Sequence, residues 1–359
     1  MANRPWKLTT WQHRSRARRH AAPILLNGQP KGFCAPKATA LNVIARETYE
    51  MKPVALLTPT YGRDLELCTL LCESVDRHVK SFSKHYLLVP DSDLPLFAHL
   101  ASERRVIVPA STYLPDWLRP LPRVIQHKRR QFWWSLRAKP VSGWHVQQFL
   151  KIAAVISLPY QRYCILDSDV VFFRDFDLAR FEYPNPIPLL TMANAVTADQ
   201  PRHSRWLETS HQLLGLPTPP FPAPDFIGHI IFWDRQTTRA LTQRIEAITG
   251  LGWLEALCRI RDFSEYLLYG YFVQNDPASA TAHTVVASTP CISYWERSTL
   301  NKDELNALLR GADRHDVAFS IASFSGTPVS TIRAVIAENN AILAPAGTKT
   351  EPAGLAALC

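Results

Sequence analysis

Cysteine is scarce in this chain: seven in 359 residues, odd in number and scattered. The nearest pair, Cys68 and Cys72, stands one helical turn apart with no second cluster to meet. A disulfide framework and a structural zinc site both lose their support. No apolar run reaches the roughly 18 residues that a spanning helix needs. The arginines near the N-terminus have no apolar stretch behind them, so no secretory signal is read. A reducing, cytoplasmic setting is therefore expected. Acid is missing from one long stretch: residues 117–151 carry eight Lys/Arg and neither Asp nor Glu. Residues 1–50 add nine Lys/Arg against two Glu, so the net charge of +9 sits in these two segments. A local positive field of this kind suits a phosphate-bearing ligand, an anionic membrane face or nucleic acid. With 47% apolar and 20% charged residues, wholesale disorder, collagen and coiled coil are excluded.

What is present reads as an α/β protein. Residues 1–50 form a basic, flexible segment, where Trp6 and Trp11 beside arginines suit peripheral contact with a membrane. Val54–Thr58, Tyr86–Val89 and Arg105–Val108 are short apolar runs, as buried parallel strands should be. Leu65, Leu67, Leu70, Leu71 and Val75 between the first two have helical spacing. Residues 112–144 form a basic, Trp-bearing stretch long enough to be a binding loop or lid. Val146, Phe149, Leu150, Ala153 and Ile156 then mark an amphipathic helix, with Gln147 and Lys151 four residues apart on one face. Tyr163–Leu166 is a strand. Nine prolines fall within residues 184–224, which predicts irregular chain around a helix near Ser204–Leu214. Ile227–Trp233 reads as a strand, Thr237–Ile248 as a helix, and another helix begins near Ser264. Val317–Ala322 and Val329–Glu338 read as a strand and a helix. Residues 301–359 are expected to be a C-terminal extension with a frayed end, following a catalytic domain over 51–300.

Asp-Ser-Asp occurs twice, at 91–93 and 167–169, each time after an apolar strand. Leu94-Pro follows the first copy and suits a helix start, with Asp93 as its cap or first-turn residue. The second copy has apolar residues on both sides, where carboxylates are costly to bury without partners. Asp167 and Asp169 fall on one side of an extended chain. At the carboxyl end of a parallel strand they form a hard-oxygen site for Mn²⁺ or Mg²⁺; a turn closed by side-chain hydrogen bonds is the plainer reading. Tyr163–Val171 also fits the hhhhDxDx[TV] signature of HAD-type phosphotransferases. About 160 residues precede it, however, and no later acidic pair follows. A nucleic-acid-binding protein would share the basic segments, but the chain carries no motif of that class, and no nucleic-acid partner is expected.

Pro53–Asp64, Gly143–Lys151, Cys164–Phe173 and Ser264–Gly270, taken in this order, resemble a bacterial GT-A-like glycosyltransferase group labelled mainly as a domain of unknown function. The resemblance covers roughly residues 52–300. It implies a GT-A-like nucleotide-binding fold with a mixed, mainly parallel central sheet. It also implies transfer of a sugar from a nucleotide-diphosphate sugar, aided by Mn²⁺ or Mg²⁺, to a glycan or glycolipid acceptor. Under it, Asp169 ligates the metal, and Asp167 holds the ribose or the metal through water. The loop Thr58–Asp64 holds the base: Tyr61 offers a stacking face, Asp64 a carboxylate, and Thr58 and Arg63 belong to the same set. Gln147, Gln148 and Lys151 face the donor, with Lys151 approaching the diphosphate. The basic loop at Lys128–Arg130 closes over it. Inversion requires a general base: Glu265, which equally fits a helix cap with Asp262, or Asp225. Retention would instead add a late histidine to the metal, His283 or His315.

Overall fold

The computed structural model describes residues 53–121 and 132–343. The basic N-terminal segment, the Lys128–Arg130 loop and the last residues lie outside the described residues. In chain order the elements that position the site are β1 (Val54–Pro59), α1 (Leu65–His78), β2 (Phe82–Val89), β3 (Arg105–Pro109), α2 (Gly143–Ser157), β4 (Arg162–Ile165) and β5 (Val170–Phe172). They continue as α3 (Pro201–Leu214), β6 (Ala223–Asp225), β7 (Ile231–Asp234), α4 (Arg235–Thr249), α5 (Glu265–Asn275), β8 (Cys291–Tyr294), α6 (Lys302–Arg310), β9 (Ala318–Ile321) and α7 (Val329–Leu343).

The central sheet has the order β3-β2-β1-β4-β7. Its first four strands are parallel; β7 runs antiparallel to β4, with Ile231 opposite Ile165. Every residue of β1 and β4 is buried, which fits their largely apolar sequences; the one charged residue, Arg162, is paired with Asp234. The sheet is therefore mixed but mainly parallel. Strand order reverses at β1, where β2 lies on one side and β4 on the other. A crevice opens beyond the carboxyl ends of strands at such a switch point. The loop at Thr60–Asp64 leaves β1 there, and Asp167-Ser-Asp169 leaves β4 there.

Helix α2 buries Val146, Phe149, Leu150 and Ala153, and Phe149 stacks on Phe263 at 5.8 Å. A phenylalanine buried this fully contributes about 1.5–3 kcal/mol. Lys151 shares that buried surface and is no solvated cation. Gly270 lets α5 press onto the loop that follows β6: a Cβ there would sit 2.2 Å from the Phe226 ring. Strand β7 starts at Ile231, four residues later than its apolar run, because Ile230 adopts φ 60° and breaks the extended chain.

The structure shows no boundary near residue 300. Strand β9 lies between β8 and β5, antiparallel to β5, with Ser320 opposite Val170. Leu305 and Leu309 of α6 and Ile332 and Val335 of α7 share a core with Val171 and Phe173, so the segment expected to be an extension completes the chain around the second Asp-Ser-Asp. Among the described residues no helix is long and apolar enough to cross a membrane.

Candidate active site

A cavity of about 720 Å³ opens at the switch point, with Asp64, Gln147, Lys151, Asp167, Asp169 and Glu265 among its walls. A neighbouring space of about 540 Å³ is walled by Tyr61, Arg63, Asp64 and Gln147, among others. Asp64, Gln147, Trp144 and Arg202 belong to both, so the two form one cleft. The structure thus brings the β1 loop, α2 and the strand-end carboxylates together.

Lys151 is the hub. Its Nζ donates to Asp167 Oδ1 at 3.1 Å, Glu265 Oε1 at 3.0 Å and the Tyr266 hydroxyl at 2.8 Å. Burial alone would strip its proton, but Asp167, Glu265 and Tyr266 outweigh that and hold the ammonium well above the usual lysine range. Burial also opposes charge on Asp167, yet Lys151 and His229 hold this carboxyl below the usual carboxylate range. Glu265, inside the same ion pair, moves the other way because burial prevails over Lys151. One cation shared by two carboxylates separates them, one kept ionised and the other pushed toward neutrality. The expected approach of Lys151 to a diphosphate is not what the geometry shows: its three donors are committed to protein oxygens.

Asp169 is held by the C-terminal segment. Its carboxylate accepts from Ser320 Oγ at 3.2 Å and the Ser323 amide at 3.1 Å. Burial first, and then the neighbouring Asp167 charge, raise its carboxyl, with His229 opposing. Asp64 accepts from Ser168 Oγ at 3.3 Å, which ties the β1 loop to the strand-end motif. Burial, followed by the charge of Asp169, pushes Asp64 up to about 6.

Four expectations are corrected. Thr58 is fully buried within β1 and pairs with His85 at 3.0 Å, away from the cleft. His283 has both ring nitrogens engaged, by the Tyr269 hydroxyl at 2.9 Å and the Ser279 carbonyl at 2.8 Å, and does not line the carboxylate cavity. His315 stands in a loop beside Arg314 and lines a different space. The cap reading for Glu265 falls: Ser264 occupies the N-cap of α5, Asp262 faces Arg205 at 3.5 Å, and the Glu265 carboxylate faces Lys151. Gln148 has a supporting place, since its Oε1 accepts the Glu265 amide at 3.1 Å and fixes the start of α5.

Several cleft residues carried no role in the sequence reading. His229 is 3% exposed, stacks on Trp295 at 4.6 Å, and places Nδ1 at 3.6 Å from Asp167 Oδ2. That nitrogen makes no hydrogen bond. Trp144 and Trp206 stack at 5.5 Å, and the Arg202 guanidinium lies over both rings. His203, likewise without a role there, sets Nδ1 at 2.9 Å from the buried carboxylate of Asp225, the alternative base. The only advance signals were the Gly228-His229 pair within an apolar run and the Trp spacing, and neither names a partner in sequence.

Fold and site together define an α/β protein with a carboxylate-lined cleft at the switch point of a mixed, mainly parallel sheet. The chain belongs to DUF6492, a family of unknown function whose model matches residues 51–342. The match runs through β9 and α7, as the packing of the C-terminal segment requires. No curated protein matches the chain.

Proposed function

We propose that the protein is a metal-dependent glycosyltransferase of the GT-A type, moving a sugar from a nucleotide-diphosphate sugar to an acceptor hydroxyl. The observation that carries this reading is the pairing of Asp167 and Asp169 at the sheet's switch point, open to a cleft of nucleotide-sugar size. The strand order β3-β2-β1-β4 with antiparallel β7 beside it supports the same class.

Among the described residues, no three His, Cys, Asp or Glu side chains form a ready-made metal cage. The residues present still fit Mn²⁺ or Mg²⁺. Such ions bind through one or two carboxylates and take phosphate oxygens and water for the rest. The buried, unpartnered His229 Nδ1 beside Asp167 adds a nitrogen donor of the kind Mn²⁺ accepts. A bound cation would neutralise the charge that develops on the leaving diphosphate.

The chain's own residues then divide the work. Asp169 and Asp167 would hold the ion, with Lys151 orienting Asp167 and favouring its ionised form. Tyr61 and Asp64 border the space for the base, and Arg63 and Gln147 border it beside them. The acceptor belongs to surface polysaccharide or glycolipid synthesis in this reading, and the basic residues 1–50 serve contact with an anionic membrane face.

The test is titration calorimetry of UDP and GDP, with and without Mn²⁺. Metal-dependent binding of one nucleotide, lost in Asp169→Ala, is expected. A folded wild type that binds no nucleoside diphosphate in the presence of Mn²⁺ sinks the reading.

A further inference from the structure

The transferase reading leaves the proton of the acceptor hydroxyl without a destination. Glu265 is poorly suited to take it: it is 3% exposed, and Oε1 is bound to Lys151. A second acid–base pair lines the same cavity, formed by Asp225 at the end of β6 and His203 in the first turn of α3.

The pair is built, not incidental. Asp225 is 4% exposed. Its Oδ1 accepts the Phe226 amide at 2.7 Å and the Ile227 amide at 3.0 Å. The preceding carbonyl, of Pro224, accepts from the Tyr271 hydroxyl at 2.7 Å, which anchors this loop to α5. Oδ2 is thereby aimed at His203 Nδ1, 2.9 Å away. The imidazole is braced by Trp206, its ring centroid 4.9 Å from the indole, and its side chain is 34% exposed. A carboxylate can only accept from Nδ1, so the neutral ring carries its proton there. That tautomer leaves the Nε2 lone pair bare on a ring that walls the cavity.

We propose that His203 is the general base for the acceptor hydroxyl and that Asp225 positions it. The inference rests on the transferase reading above. In the step, the hydroxyl proton passes to His203 Nε2 while the hydroxyl oxygen bonds to the anomeric carbon. The bond from that carbon to the diphosphate oxygen breaks, and its electron pair leaves with the nucleoside diphosphate. The imidazolium that results is stabilised by the Asp225 carboxylate, 2.9 Å from Nδ1. Asp225 is thus not itself the base, and Glu265 serves the Lys151 network instead.

The experiment uses the full chain with Mn²⁺ and a panel of UDP- and GDP-sugars. Calorimetry reads donor binding, and release of nucleoside diphosphate to water reads turnover. His203→Asn and His203→Gln are expected to bind donor as wild type does and to lose kcat by at least about 100-fold, the low end of general-base effects. Added imidazole should restore part of the rate in His203→Ala. ¹⁵N-histidine spectra of the nucleotide-free protein should place the neutral ring proton of His203 on Nδ1. That last readout does not depend on any donor. Turnover at the wild-type rate in His203→Asn overturns the proposal, as does a proton found on Nε2. Donor bound by wild type with no release at any pH also overturns it, because a bare imidazole beside bound donor would activate water. A wild type that binds no donor overturns the transferase reading itself, and the role of His203 falls with it.

Discussion

The two Asp-Ser-Asp segments leave neighbouring parts of the same sheet edge, and their carboxylates meet opposite surroundings. After β2, Asp93 Oδ2 accepts the Gly62 amide at 2.8 Å, while Asp91 accepts from the amide and hydroxyl of Ser111. These three donors are neutral groups of the neighbouring loops. Asp93 stands at the N-cap of the short helix after it, as expected, although its side chain makes no cap hydrogen bond there and reaches across to brace the β1 loop. After β4, Asp167 faces Lys151 and His229, Asp169 faces Ser320 and Ser323, and both border an open cavity. Identical tripeptides therefore differ in what the fold sets opposite them. One carboxylate pair tightens a loop, and the other lines an open cleft.

The sharpest way to break the contrast is to remove the buried cation that faces the second copy. Lys151→Met would leave Asp167 and Glu265 with no ammonium between them. Stripping one partner from a buried ion pair typically costs about 3–5 kcal/mol. Urea unfolding should show a loss of that order. Adding Glu265→Gln to Lys151→Met should recover part of it, because one buried charge is then removed. A Lys151→Met protein as stable as wild type would mean that the network is not what holds α2 against α5.

Next in size is Asp169→Ala. If the second copy holds a divalent cation, metal-dependent nucleotide binding should weaken by at least about 100-fold, or roughly 2.7 kcal/mol. The fold should survive, since the Ser323 amide lines the cleft and can turn to water, which leaves one buried hydroxyl, of Ser320, short of an acceptor. Calorimetry beside circular dichroism separates the two effects.

Asp64 links the two copies, since Asp93 braces the loop and Ser168 binds Asp64 itself. Its carboxyl is raised from 3.8 to about 6 by burial and the charge of Asp169. An acid raised in the folded state binds its proton more tightly folded than unfolded. Its contribution is fully present below pH 3.8 and is lost as pH rises to about 6. At pH 7 the ionised Asp64 therefore lowers stability. Asp64→Asn should raise stability at pH 7 by about 1–3 kcal/mol and have little effect at pH 3.5. Thermal melts at the two pH values check the sign, and equal effects at both would show that charge is not the cause.

Much of the fold was legible because strands and helices announce themselves locally. The runs at Val54, Tyr86, Arg105 and Tyr163 all became strands of the central sheet, and the spacing from Val146 became α2. Asp167 and Asp169 stood out because carboxylates inside an apolar run demand partners. The partners were not legible. Lys151 and Glu265 meet across 114 positions, and Asp169 and Ser323 across 154. Such pairings depend on how strands order in the sheet, which no local pattern encodes. Ile230 shows a second limit: an unbroken apolar run hid a left-handed residue that delays β7 and turns His229 toward Asp167. The place of the C-terminal segment was not legible for a related reason: β9 pairs with β5, about 150 residues earlier in the chain.

The smallest predicted effect belongs to the first copy and completes the contrast. Asp93→Ala would free the Gly62 amide, whose carboxylate partner is supplied from another loop 31 residues away. The amide is only partly buried and can turn to water, so the loss should be about 1 kcal/mol. The β1 loop carrying Tyr61 and Asp64 would then be less fixed, and if the proposed function holds, nucleotide affinity should fall by no more than about threefold. Asp93→Asn, which keeps an acceptor oxygen, should restore most of both. Charge is thus expected to be dispensable at the first copy and indispensable at the second: Asp169→Asn should be nearly as damaging as Asp169→Ala, because a neutral amide oxygen holds a divalent cation poorly. If Asp93→Asn abolished nucleotide binding as well, the first copy would belong to the site and the distinction between brace and cleft would fall.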